Sequence, residues 1–86
     1  MRLEEKDLIK KIIRQKLGNV KIYLFGSRMY DNKKGGDIDI YIDKKLTSKE
    51  KIELLTEFTL NGIERKIDLV SKGSKLEKIA KKGILL

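Results

Sequence analysis

The sequence predicts a small α/β domain, a mixed β-sheet with helices packed on it, and three observations carry that prediction. Helical apolar spacing alternates with short β-branched runs. The segment Asp37 to Asp43 sets Ile38, Ile40 and Ile42 against Asp37, Asp39, Tyr41 and Asp43 at a period of two. Two Thr/Ser-x-x-Glu helix starts, at Thr47-Ser48-Lys49-Glu50 and Ser74-Lys75-Leu76-Glu77, precede apolar stretches.

Leu8, Ile9, Ile12, Ile13 and Leu17 recur at helical spacing, so the first element is an amphipathic helix over about residues 3 to 17, which Gly18 is placed to end in a left-handed conformation. Val20-Lys21-Ile22-Tyr23-Leu24-Phe25 is rich in β-branched and aromatic residues and is closed by Gly26. It reads as a largely buried strand. A polar stretch and the loop Asp31-Asn32-Lys33-Lys34-Gly35-Gly36 lead to the alternating segment 37–43, a strand with isoleucines on one face and acids on the other.

Thr47 then caps a helix expected to carry Ile52, Leu55, Phe58 and Thr59 inward until about Gly62. Lys66-Ile67-Asp68-Leu69-Val70 is a third strand, with Ile67 and Leu69 on one face and Asp68 on the other. Ser74 opens a last helix in which Leu76, Ile79 and Ala80 are apolar, ending near Gly83. The tail Ile84-Leu85-Leu86 is expected to pack back on the sheet rather than dock on a partner.

The chain has 86 residues, the size of one domain whose core only just offsets the entropy of ordering it, so residues 1–86 are read as a single domain. It has no Cys, which excludes disulfides and thiolate metal sites. Acids in the first seven residues and the absence of an apolar run of about 18 residues point to a soluble, cytoplasmic protein. The net charge of +8 invites a polynucleotide partner. Most lysines, however, fall where a helix would face solvent, interspersed with Glu, and the few aromatics form no stacking platform. A solvated surface is the favoured reading.

The acids carry the chemistry. Asp37 and Asp39, two apart on a strand, share a face with Cα atoms about 6.5–7 Å apart, so their carboxylates can close on one metal. Asp68 joins them if its strand neighbours theirs. Three converging carboxylates repel unless cations lie between them, and hard oxygen ligands suit Mg²⁺ or Mn²⁺. Gly26-Ser27, directly after a buried strand, lets a phosphate approach the backbone and adds a hydroxyl donor. The spacing and Lys of a Walker loop are missing, which argues against a P-loop ATPase. Taken singly, each feature has a plain structural reading: Asp37 as a strand-start cap, Asp39 as an edge-strand surface acid, Asp68 as a partner of Lys66, Gly26-Ser27 as a helix start.

The ordered combination is more specific. Gly26-Ser27, nine residues separating Ser27 from Asp37, then Asp37-Ile38-Asp39, and a later strand acid in Asp68 resemble the signature of the DNA polymerase β-like nucleotidyltransferase superfamily. Length, the opening amphipathic helix and the basic closing helix are similar to its minimal nucleotidyltransferase branch, so the resemblance covers nearly the whole chain. Many relatives carry a Gly where this chain has Tyr30 and Asp31, and a Ser where it has Gly36. Both departures leave the acids in place.

This resemblance implies a palm-like nucleotidyltransferase fold, one or two Mg²⁺ ions held by Asp37, Asp39 and Asp68, and β- and γ-phosphates bound by Gly26, Ser27 and the nearby backbone, with Arg28 adding charge. It implies transfer of a nucleoside monophosphate, AMP from ATP foremost, to an acceptor hydroxyl with release of pyrophosphate. Minimal nucleotidyltransferases are similar to antitoxins that adenylylate a HEPN-type partner, which would make the acceptor a protein side chain. The alternatives are a non-catalytic nucleotide-binding or toxin-covering subunit and, by charge alone, a nucleic-acid binder. So small a domain is also compatible with a homo- or hetero-oligomer.

Overall fold

The computed structural model describes residues 3–25, 38–63 and 65–86. Its elements run α1 (Leu3–Leu17), β1 (Ile22–Phe25), β2 (Ile38–Ile42), α2 (Ser48–Leu60), β3 (Ile67–Ser71), α3 (Glu77–Ala80) and β4 (Ile84–Leu85). The strands form one mixed sheet in the order β3-β2-β1-β4. β1 is antiparallel to β2 and β4, whereas β2 and β3 are parallel and joined through α2, as a parallel pair requires a crossover.

The main core lies on one face of the sheet. Ile9, Ile12 and Ile13 of α1 and Leu54 and Phe58 of α2 bury against Ile22, Leu24, Ile38, Ile40, Ile42 and Ile67. Gly18 follows α1 with φ +85°, a conformation that lets its N–H close on the Arg14 carbonyl at 2.9 Å and turns the chain into β1. The Thr47 capping box forms as the sequence predicts. Thr47 Oγ1 accepts from the Glu50 N–H at 3.1 Å, and Glu50 Oε1 accepts from the Thr47 N–H at 2.9 Å.

Two expectations are corrected, and a third is met in a more specific form. In α2 the inward residues are Leu54 and Phe58, while Ile52 is 63% exposed and Leu55 and Thr59 also face solvent. Ile52 sits about 200° around the helix from Leu54, so the two cannot share a face, and the sheet takes the Leu54 side. The last helix spans only Glu77–Ala80 and has no capping box: Ser74 Oγ accepts from the Leu76 N–H, and Glu77 Oε1 reaches past Ser74 to the Gly73 N–H at 2.8 Å. The tail does pack back on the sheet, but as a further strand, β4, whose register pairs Ile84 with Leu24 and Leu85 with Tyr23.

Gly83 makes that last turn fit. A Cβ there would overlap the Leu24 carbonyl oxygen, so only glycine lets the chain pass this close to β1 on its way from α3 into β4. α3 is thereby held on the second face of the sheet, where Ala80 packs on Phe25 and Tyr41 with Tyr23 and Val70 alongside.

Candidate active site

Burial of Ile38, Ile40 and Ile42 under α1 and α2 leaves Asp39, Tyr41 and Asp43 on the second face. Strand pairing then sets what stands beside Asp39. The parallel register of β2 and β3 matches Asp39 with Asp68, and the antiparallel register of β1 and β2 matches Phe25 with Asp39. Neighbouring strands lie about 4.8 Å apart, and matched residues face the same side. Asp39 and Asp68 are therefore side by side, both partly buried, at the end of the sheet where β1 finishes and β2 and β3 begin.

The other predicted site residues, Gly26, Ser27, Arg28 and Asp37, lie outside the described residues. Gly26 is covalently next to Phe25, and Asp37 next to Ile38, whose N–H donates to the Lys66 carbonyl at 2.9 Å. Of the predicted carboxylates, the structure thus brings together Asp39 and Asp68. Two partly buried carboxylates on adjacent strands repel in the absence of a cation, and as an all-oxygen donor pair they fit a hard divalent ion.

Asp43, the remaining acid of β2, belongs to a different group four residues further along the strand. Tyr41 Oη donates to Asp43 Oδ1 at 3.0 Å. Lys81 Nζ lies 3.6 Å from Asp43 Oδ1 and 3.3 Å from Glu77 Oε2. The Tyr41 hydroxyl, then the Lys81 and Lys72 ammonium groups, outweigh partial burial and hold the Asp43 carboxyl below its ordinary range. Tyr41 is fully buried, and that burial, reinforced by its hydrogen bond to Asp43, pushes its hydroxyl well above its ordinary value. The Gly73 N–H, and after it Lys81, hold Glu77 low, and Glu77 in turn raises Lys81.

Sequence reasoning missed this network, which pins α3 to β2. Its signal was present in the i, i+4 spacing of Glu77 and Lys81 and in the phenol of Tyr41 standing in a row of acids. Among the described residues no helix is long and apolar enough to cross a membrane.

No curated protein matches the chain. Residues 7–86, nearly its whole length, match the family model described as polymerase beta, nucleotidyltransferase. The chain belongs to the polymerase beta nucleotidyltransferase family.

Proposed function

We propose that this chain moves a nucleoside monophosphate, foremost AMP from ATP, onto an acceptor hydroxyl, and that Asp37, Asp39 and Asp68 form its metal-binding, catalytic group. The observation that carries this reading is the register of Asp39 against Asp68 on parallel strands. Polymerase beta-like nucleotidyltransferases generally depend on divalent metals. Bound by these carboxylates, one or two Mg²⁺ ions would offset the charge of the triphosphate and of the departing pyrophosphate.

The protein's own groups have distinct tasks. Asp39 and Asp68 present oxygens from two rigid strands, so their spacing is fixed by backbone pairing rather than by a loop. Asp68 can take the proton of the attacking hydroxyl on a carboxylate oxygen. Gly26, Ser27 and Arg28, one to three residues beyond the strand partner of Asp39, would hold the β- and γ-phosphates.

The acceptor half of the reaction is assigned to a second protein. Support comes from α2, whose outward side carries Ile52, Leu55 and Leu60, 63%, 36% and 74% exposed, on a chain where 40% of residues are charged. A HEPN-type partner adenylylated on a hydroxyl side chain fits this reading, with the chain acting as the antitoxin. The same surface favours a second reading, a non-catalytic subunit that covers its partner.

Incubation with Mg²⁺, labelled nucleoside triphosphates and the product of the neighbouring gene separates the two. Label should reach the partner and vanish with Asp37→Asn combined with Asp39→Asn. Inhibition of the partner without labelling, unchanged by those substitutions, would leave only the covering role.

A further inference from the structure

Folding gathers at one end of the sheet lysines that the sequence scatters over four segments. Asp43 N–H donates to the Lys21 carbonyl at 2.9 Å and Lys72 N–H to the Lys44 carbonyl at 3.3 Å, so Lys21, Lys44 and Lys72 stand next to one another where β1 begins and β2 and β3 end. Lys45 follows in the loop after β2, Lys75 in the turn after β3, and Lys49 in the first turn of α2. All six are exposed, and none is within ion-pair distance of a carboxylate among the described residues.

Three acids at this end are already engaged: Asp43 by Tyr41 and Lys81, Glu77 by Lys81 and the Gly73 N–H, and Glu50 by the Thr47 N–H. The carboxylates Asp39 and Asp68 lie at the opposite end of their strands. The six lysines and the pair Asp39 and Asp68 therefore stand at opposite ends of the strands, with Lys66 beside the acids.

We propose that this lysine cluster binds the phosphodiester backbone of a polynucleotide without regard to sequence. Ammonium groups on flexible stems make point contacts with phosphate, and no aromatic side chain among the described residues is exposed to stack on a base. A protein partner of acidic surface is the competing occupant, since Ile52, one turn from Lys49, and Leu76, next to Lys75, are exposed, and competition by poly-glutamate tells the two apart. Binding here is independent of the transfer chemistry at the other end of the strands.

The test is titration of a fluorescent oligouridylate with the whole chain at several salt concentrations. If all six lysines meet phosphates, log K falls with log salt at a slope of about −4, which is a loss of a few hundredfold between about 50 and 200 mM. Lys21→Gln, Lys44→Gln and Lys72→Gln together should flatten that slope to about −2. An equal loss of charge elsewhere, Lys10→Gln, Lys11→Gln and Lys82→Gln, should leave it near its starting value. Circular dichroism checks that both variants stay folded. The proposal fails if the two triple variants flatten the slope equally, if poly-glutamate competes as well as RNA at equal charge, or if no binding is seen at the lowest salt.

Discussion

The two faces of the sheet are built from the same strands and do opposite work. Under α1 and α2 the face is dry and aliphatic, a continuous layer of isoleucine, leucine and phenylalanine. Under α3 it carries a patch of Phe25, Tyr41 and Ala80, a hydrogen-bonded cluster around Asp43, and the pair Asp39 and Asp68. One face holds the fold together, which frees the other to keep charged groups close that would otherwise weaken it.

The comparison breaks most readily at Ile40. Fully buried on the aliphatic face and flanked in sequence by Asp39 and Tyr41, it should cost about 2–5 kcal/mol when cut to Ala, enough to unfold much of so small a protein. Urea denaturation checks this. Asp68→Asn, on the neighbouring strand but the opposite face, should lower nucleotidyl transfer by about a hundredfold or more. Its urea midpoint should show a change of no more than about 0.5 kcal/mol in stability. A large stability loss there would show that the acid pair itself, and not only the cluster around Asp43, is structural.

Tyr41→Phe sharpens the contrast within the second face. The hydroxyl bonds a carboxylate, so its removal should cost about 1–2 kcal/mol near neutral pH. The signs with pH follow from the directions of the shifts. Tyr41 is raised in the fold, so its contribution is whole below its ordinary value of 10.0 and is lost as pH rises beyond that. Asp43 is lowered, so its contribution is whole above its ordinary value of 3.8 and is lost as pH falls below that. In the wild type, ultraviolet titration should show one tyrosine ionising only as the protein unfolds in alkali, and Tyr41→Phe should abolish that delayed phase. The smallest effect belongs to Thr47→Ala, which removes the α2 cap far from both faces and should cost about 1 kcal/mol in thermal or urea melts.

What the sequence made legible follows the same division. Where period and chemistry agree, as in α1, in the isoleucine strand and at Thr47, local pattern was enough. In α2 two apolar stripes both satisfy helical spacing, and only the sheet beneath decides that Leu54 and Phe58 turn inward while Ile52 stays out. Ser74-Lys75-Leu76-Glu77 mimics a capping box, but the turn at Gly73 offers Glu77 a nearer N–H. β4 has two residues and no pattern of its own; the open edge of β1 makes it a strand. The pairing of Asp39 with Asp68 was conditional on strand order, which a parallel crossover sets and no local motif encodes. The tether from Asp43 through Lys81 to Glu77 joins β2 to a helix far along the chain, so it too was invisible until the fold was known.

The parallel pairing of β2 and β3 has a kinetic meaning as well. Asp39 and Asp68 are joined by a segment that contains the whole of α2, and they become neighbours only when that loop has closed and β3 has docked. Long-range pairings of this kind form late, after the entropy of closing the loop has been met. A partly folded chain, with α1 and the β1–β2 pair in place, would own half a carboxylate pair and no way to hold a divalent ion between strands. Any ligand that bridges the two acids therefore reports on completed folding and, by mass action, protects the finished protein against unfolding.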